Sequence, residues 1–170
     1  FLGLLAFALA GFYGCQDGKS QNDTAASSSI EMLESIPKLL DRSDKIQYGM
    51  EWDNIQNAYG KHRKAIMDDP QAKEPWLNLA EIFVQEARVT GEHPHYYPAA
   101  LQCLDHLLSK NFDENNPKEK DLKFRALTAK AGVELSLHEF AKALKTGEEA
   151  VAINPLNSGI YGVLTDAHVE

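Results

Sequence analysis

The chain has 170 residues, enough for one domain with a continuous core. Its 44% hydrophobic and 25% charged residues are ordinary for a folded protein, and a net charge of −8 argues against non-specific nucleic-acid binding, which needs clustered Lys and Arg. The sequence contains no G-x-S-x-G, H-E-x-x-H or Cys-x-x-Cys, and Tyr13 stands where the first glycine of a phosphate loop ending in Gly18-Lys19-Ser20 would be. No catalytic site, cofactor or metal is therefore expected.

Residues 1–14 carry no charge and end directly before Cys15. An apolar stretch of this length suits a secretory signal, and it falls short of the roughly 20 residues of a spanning helix. Small residues followed by cysteine resemble the lipobox of bacterial lipoproteins. That resemblance implies that Gly14 precedes the cleavage site and that Cys15 carries the lipid, although Phe12 and Tyr13 depart from the usual pattern. Residues 16–29 have no aromatic or branched aliphatic side chain, so residues 15–29 read as a lipidated cysteine and flexible tether. The other cysteine, Cys103, lies between Leu101 and Leu104 on a helical pattern and reads as a packed thiol.

A folded domain is expected over residues 30–170. Ser28 and Glu31 have capping-box spacing ahead of Met32, Leu33, Ile36, Leu39 and Leu40, predicting a first helix over 30–46. Trp52, Ile55, Tyr59, His62 and Ile66 mark a second, stopped by Asp68-Asp69-Pro70. A third starts near Glu74 and presents Trp76, Leu79, Ala80 and Phe83. A long turn is expected around 88–96, with His93 and His95 solvated in it and Tyr96-Tyr97 packing it down. The fourth helix follows with Ala100, Leu101, Leu104 and Leu107. Asn116-Pro117 caps and opens a fifth, Phe140 to Ile153 spans a sixth, and a seventh begins at Ser158.

Ile55, Ala58, Ala65, Pro70, Trp76 and Leu79 recur 85 residues later as Phe140, Ala143, Ala150, Pro155, Tyr161 and Leu164. Helix, sharp stop and new helix repeated at a fixed offset indicate stacked hairpins, none of which can hide its apolar side alone. Trp76, Ala80 and Phe83, and then Phe140, Ala143, Ala150 and Pro155, resemble the two helices of the tetratricopeptide repeat. The likeness covers residues 50–170, and the offset exceeds two 34-residue units by 17. Gly147 occupies a position that usually holds a large side chain.

The resemblance implies an all-α fold. Its form would be a right-handed superhelix of antiparallel hairpins, about three plus the start of a fourth, truncated at the C-terminus. It also implies a concave groove that binds a protein or peptide partner. Projected groove positions are Leu77, Glu81 and Val84, then Thr128 and Gly132, then Gly162 and Asp166. Such a groove is expected to be small, mildly apolar and acid-spotted. The whole reads as a scaffold lipoprotein of the bacterial cell envelope, held to a membrane by its lipid, and not as an enzyme. A glycan-capture lipoprotein, for which Tyr96-Tyr97 offers the one hint, and a docking module of a larger enzyme are the alternatives.

Overall fold

The computed structural model describes residues 21–47 and 49–169, and these form helices with no strand among them. The helices are α1 (Gln21–Ser35), α2 (Glu51–Asp68), α3 (Glu74–Thr90), α4 (His93–Leu108), α5 (Pro117–Ser136), α6 (Phe140–Ile153) and α7 (Ser158–Val169). The apolar segment and Cys15 lie outside the described residues.

The N-terminal part departs from the sequence expectation. Helix α1 starts at Gln21 rather than at residue 30, so it takes up residues expected in the tether, and Ser28 lies inside it rather than capping it. It stops at Ser35 because Pro37 has no N–H to donate and disfavours helical backbone at Ile36. What reads in sequence as one helix over 30–46 is a helix, an extended strap and a single 3₁₀ turn at Asp44–Ile46. Leu33 and Ile36 are nonetheless buried, and Leu39 packs against the same core.

From α2 onward the expected helices form. Their two recurring turns share one chemistry. Asp69 and Asn154 each close the preceding helix by donating N–H to Ala65 and Ala150, and each side chain accepts the N–H two residues on, from Gln71 and Leu156. Asn116 accepts from Lys118 N–H at 3.0 Å, with Pro117 opening α5.

The long turn expected at 88–96 is absent. Helix α3 runs to Thr90, Gly91 closes it at φ 78° with its N–H on Ala87, and α4 begins at His93. The additional residues lengthen the two helices, since Gly91 alone supplies the left-handed backbone that the reversal needs. The connection between α4 and α5 covers residues 109–116.

Helix α3 packs on α4, α5 on α6 and α7 on α6, while α3, α5 and α7 touch one another in turn. The core has two parts. The larger gathers Trp76, Phe83, Tyr96, Leu104 and Ile66 with α1, and the smaller joins Phe124, Leu127, Ala131, Ala150 and Ile160. Burial of each large side chain there contributes about 1.5–3 kcal/mol. Cys103 is fully buried, and desolvation pushes its thiol up, away from the reactive thiolate.

Candidate functional site

A groove of about 640 Å³ lies between α3 and α5, with Val163 of α7 also in its lining. Glu81, Val84, Gln85 and Arg88 line one wall, and Thr128 and Gly132 the other. The 3.6-residue helical period accounts for the set: positions 81, 84, 85 and 88 share a face of α3, as 128, 132 and 136 share one of α5.

Of the projected positions, Glu81, Val84, Thr128 and Gly132 come together here. Leu77 does not: it is 0% exposed, inside the main core. Helix α3 is flanked by α2, α4 and α5, so its first half is enclosed on both sides and the groove opens only over its second half. Asp166 and Gly162 are exposed on α7 but do not line the groove. Gln85, Arg88 and Val163 do, and for the first two helical spacing from Glu81 was the available signal.

The electrostatics also differ from the expected acid-spotted wall. Arg125 Nη2 lies 3.6 Å from Glu81 Oε1 and its Nη1 donates to Glu74 Oε1 at 2.9 Å. With Asp166 outside and Arg88 inside, the groove is close to neutral. Gly132 faces open space: a methyl group built on it would meet nothing within 4 Å. A mid-helix glycine costs about 1 kcal/mol relative to alanine, and packing within this chain does not require it.

A buried charge network, which sequence reading missed, holds the strap against this region. Arg42 is 4% exposed, and all five of its N–H groups find acceptors. Nε donates to Glu86 Oε2 at 2.9 Å and Nη2 to Glu86 Oε1 at 2.5 Å, while both Nη atoms reach Glu51 and Nη1 reaches Ile46 O. The guanidinium lies over the Trp52 ring at 4.8 Å. The two carboxylates hold Arg42 firmly protonated, and in return Arg42 lowers the Glu51 pKa. Glu51 also accepts from Gln85 Nε2 at 3.2 Å, so the network ends on a side chain of the groove. The strap is fastened further by Leu40 N–H to Tyr96 Oη and by Tyr59 Oη to Pro37 O.

Beneath α1, Ser29 is buried against His106 Nε2 at 3.1 Å, and Lys110 Nζ donates both to Ser29 Oγ and to Pro70 O. The His106 ring packs on Trp76 at a tilt of 47°, with centroids 4.3 Å apart. Burial, with the Lys110 charge adding, pushes its pKa down to about 4, so the ring is neutral near pH 7.

His93 stacks on Tyr97 and His95 Nε2 lies 3.0 Å from Lys38 O, both on the first turn of α4 rather than in a solvated loop. Among the described residues no three His, Cys, Asp or Glu gather as a metal site. Tyr96 and Tyr97 are buried and offer no ring face to a sugar. No helix of the described residues is long and apolar enough to cross a membrane. Comparison with protein-family models, curated proteins and solved structures finds no match.

Proposed function

We propose that this chain is a scaffold of tetratricopeptide type that holds a protein or peptide segment in the groove between α3 and α5. It contributes geometry rather than chemistry. The observation that carries the reading is the groove itself: a near-neutral trough of about 640 Å³ on one side of stacked hairpins, with Gly132 leaving room for close approach. A partner backbone can lie against a helix where no Cβ intervenes. The near-neutral walls suit a mildly apolar segment of low net charge.

Anchorage completes the proposal. Cys15, after an apolar segment and before a polar one, is the lipid-bearing residue that places the scaffold on a membrane of a bacterial envelope. Replacement of Cys15 by Ala is expected to abolish lipid labelling and membrane retention.

The groove is tested by in-cell crosslinking, affinity capture and mass spectrometry of the membrane-extracted protein. Gly132→Arg is the variant of choice, because its side chain enters open groove space while the helix gains propensity. Leu77→Arg is unsuitable, since it would bury a charge in the core. A stoichiometric protein partner present with the parent chain and lost with Gly132→Arg supports the groove. Equal capture by both, from proteins with equal melting temperatures, refutes it.

A further inference from the structure

Helix α5 turns by about 100° per residue, so Lys123, Leu127, Lys130 and Glu134 face away from the side that carries Thr128, Gly132 and Ser136. On that far side lies a separate cleft of about 370 Å³ between α5 and α6, floored by Leu108 and Leu127. Lys123 and Lys130 of α5 and Lys142 and Lys145 of α6 line it. In a chain of net charge −8 with 17 Lys and Arg in all, four around one small cleft is a marked concentration.

These lysines differ in how far they are engaged. Lys130 Nζ is held by Asp105 Oδ1 at 2.6 Å, and Lys142 by Glu139 at 2.9 Å. Lys123 has a carboxylate only at 3.9 Å, on Glu114, and Lys145 has no ion pair among the described residues. Two ammonium groups are thus left to serve the cleft.

At its base sits Glu134, 3% exposed, whose Oε2 has no hydrogen-bond partner. Lys130 reaches the other oxygen only at 3.8 Å because Asp105 restrains it. An orphaned carboxyl oxygen costs stability unless something completes it. Burial raises the Glu134 pKa, with Asp105 and Glu139 adding and with Thr146 and the Lys130 charge opposing. In its protonated form this carboxyl has an O–H to donate through the oxygen that lacks a partner, and the ammonium groups lining the cleft need negative charge. One species answers both demands.

We infer that this cleft binds a small organic anion through a phosphate or carboxylate group, gripped by Lys123 and Lys145 and seated on Glu134. The acid O–H donates to an anion oxygen, forming a short charge-assisted bond, while the ammonium groups share the remaining charge. A cavity of this size stands at the lower end of the roughly 300–1,000 Å³ usual for ligand sites, which points to a compact ligand. Glu149 also lines the cleft and lowers its net positive charge.

The test is an NMR titration of the folded chain with inorganic phosphate and, separately, citrate, at constant ionic strength against chloride. Saturable shifts at residues 123, 134 and 145, with half-saturation at millimolar concentration or below, are expected, and Lys61 and Lys64 of α2 should stay still. The arm that saturates first tells phosphate from carboxylate chemistry. Lys123→Glu with Lys145→Glu, both changes at the surface, should weaken binding about tenfold or more. Glu134→Gln keeps a donor at the floor and should bind within about threefold of the parent, whereas Glu134→Leu should lose about tenfold. Non-saturating shifts spread over all surface lysines, or unchanged affinity in the double lysine variant, overturn the site. Tighter binding by Glu134→Leu overturns the seat, because the acid would then be opposing the anion.

Discussion

The two halves of the stack are fixed in different ways. Around α1–α4 the core is large and aromatic, and buried polar groups tie a non-helical strap to it: Arg42 to Glu86 and Glu51, Tyr96 to Leu40, and His106 to Ser29. Around α5–α7 the core is smaller and rich in alanine, and helices settle by shape. Gly147 of α6 shows this, since a Cβ there would stand 2.6 Å from Leu164 Cδ2 of α7. The space beside Gly147 is filled by Leu164 of the next helix. The comparison teaches that irregular backbone needs specific polar partners, because it cannot satisfy its own N–H and C=O groups as a helix does.

The comparison breaks most sharply at Arg42. Arg42→Ala leaves Glu86, 0% exposed, as a buried charge without its partner, and should cost about 3–5 kcal/mol in urea unfolding. Hydrogen exchange should rise in the strap and α3 well before α6–α7. Changing both partners, Arg42→Met with Glu86→Leu, should recover most of the loss. If the double variant is as unstable as the single one, the strap is not held by this pair.

Acid is a second probe of the N-terminal half. His106 has a folded pKa pushed down to about 4, below its unfolded value of about 6.5. Its contribution is therefore present above pH 6.5 and is lost as pH falls from there towards 4, by about 3 kcal/mol at most. Melting temperature against pH should slope over that window, and His106→Gln should flatten the slope. Its Trp76 contact makes indole fluorescence a local readout.

The C-terminal half is sharpened by Gly147→Leu, which puts a second side chain where Leu164 already sits and should cost about 1–3 kcal/mol. Adding Leu164→Ala should restore part of it. A single variant as stable as the parent would mean that α7 slides freely on α6. Gly132→Ala is the smallest effect and has the opposite sign: stability should rise by about 1 kcal/mol, since the added methyl meets nothing. The same change should weaken capture of a groove partner, which separates the functional role of the glycine from its structural cost.

Much of the architecture was legible because it rests on local signals. Periodic apolar residues drew α2 to α7, and Asp69-Pro70, Asn154-Pro155 and Asn116-Pro117 placed their ends through short side chains and missing donors. Glu81, Val84, Thr128 and Gly132, projected from the tetratricopeptide resemblance, do line one groove. Leu77 was misplaced because its helix face is apolar whether it looks onto a groove or into a neighbour, and only the packing of α2, α4 and α5 around α3 distinguishes the two.

The sequence by itself thus determined the all-helical class, the helices from α2 onward and the recurring turns, because these depend on residues within a few positions of one another. Tertiary structure alone decided that Ser29 docks under His106, that Arg42 meets a carboxylate 44 residues away, and that Leu164 fills the space beside Gly147. Pairings of that kind depend on which surfaces the stacked helices bring together. No local periodicity encodes that choice; burial selects it, by making an unpartnered charge or an unfilled space costly.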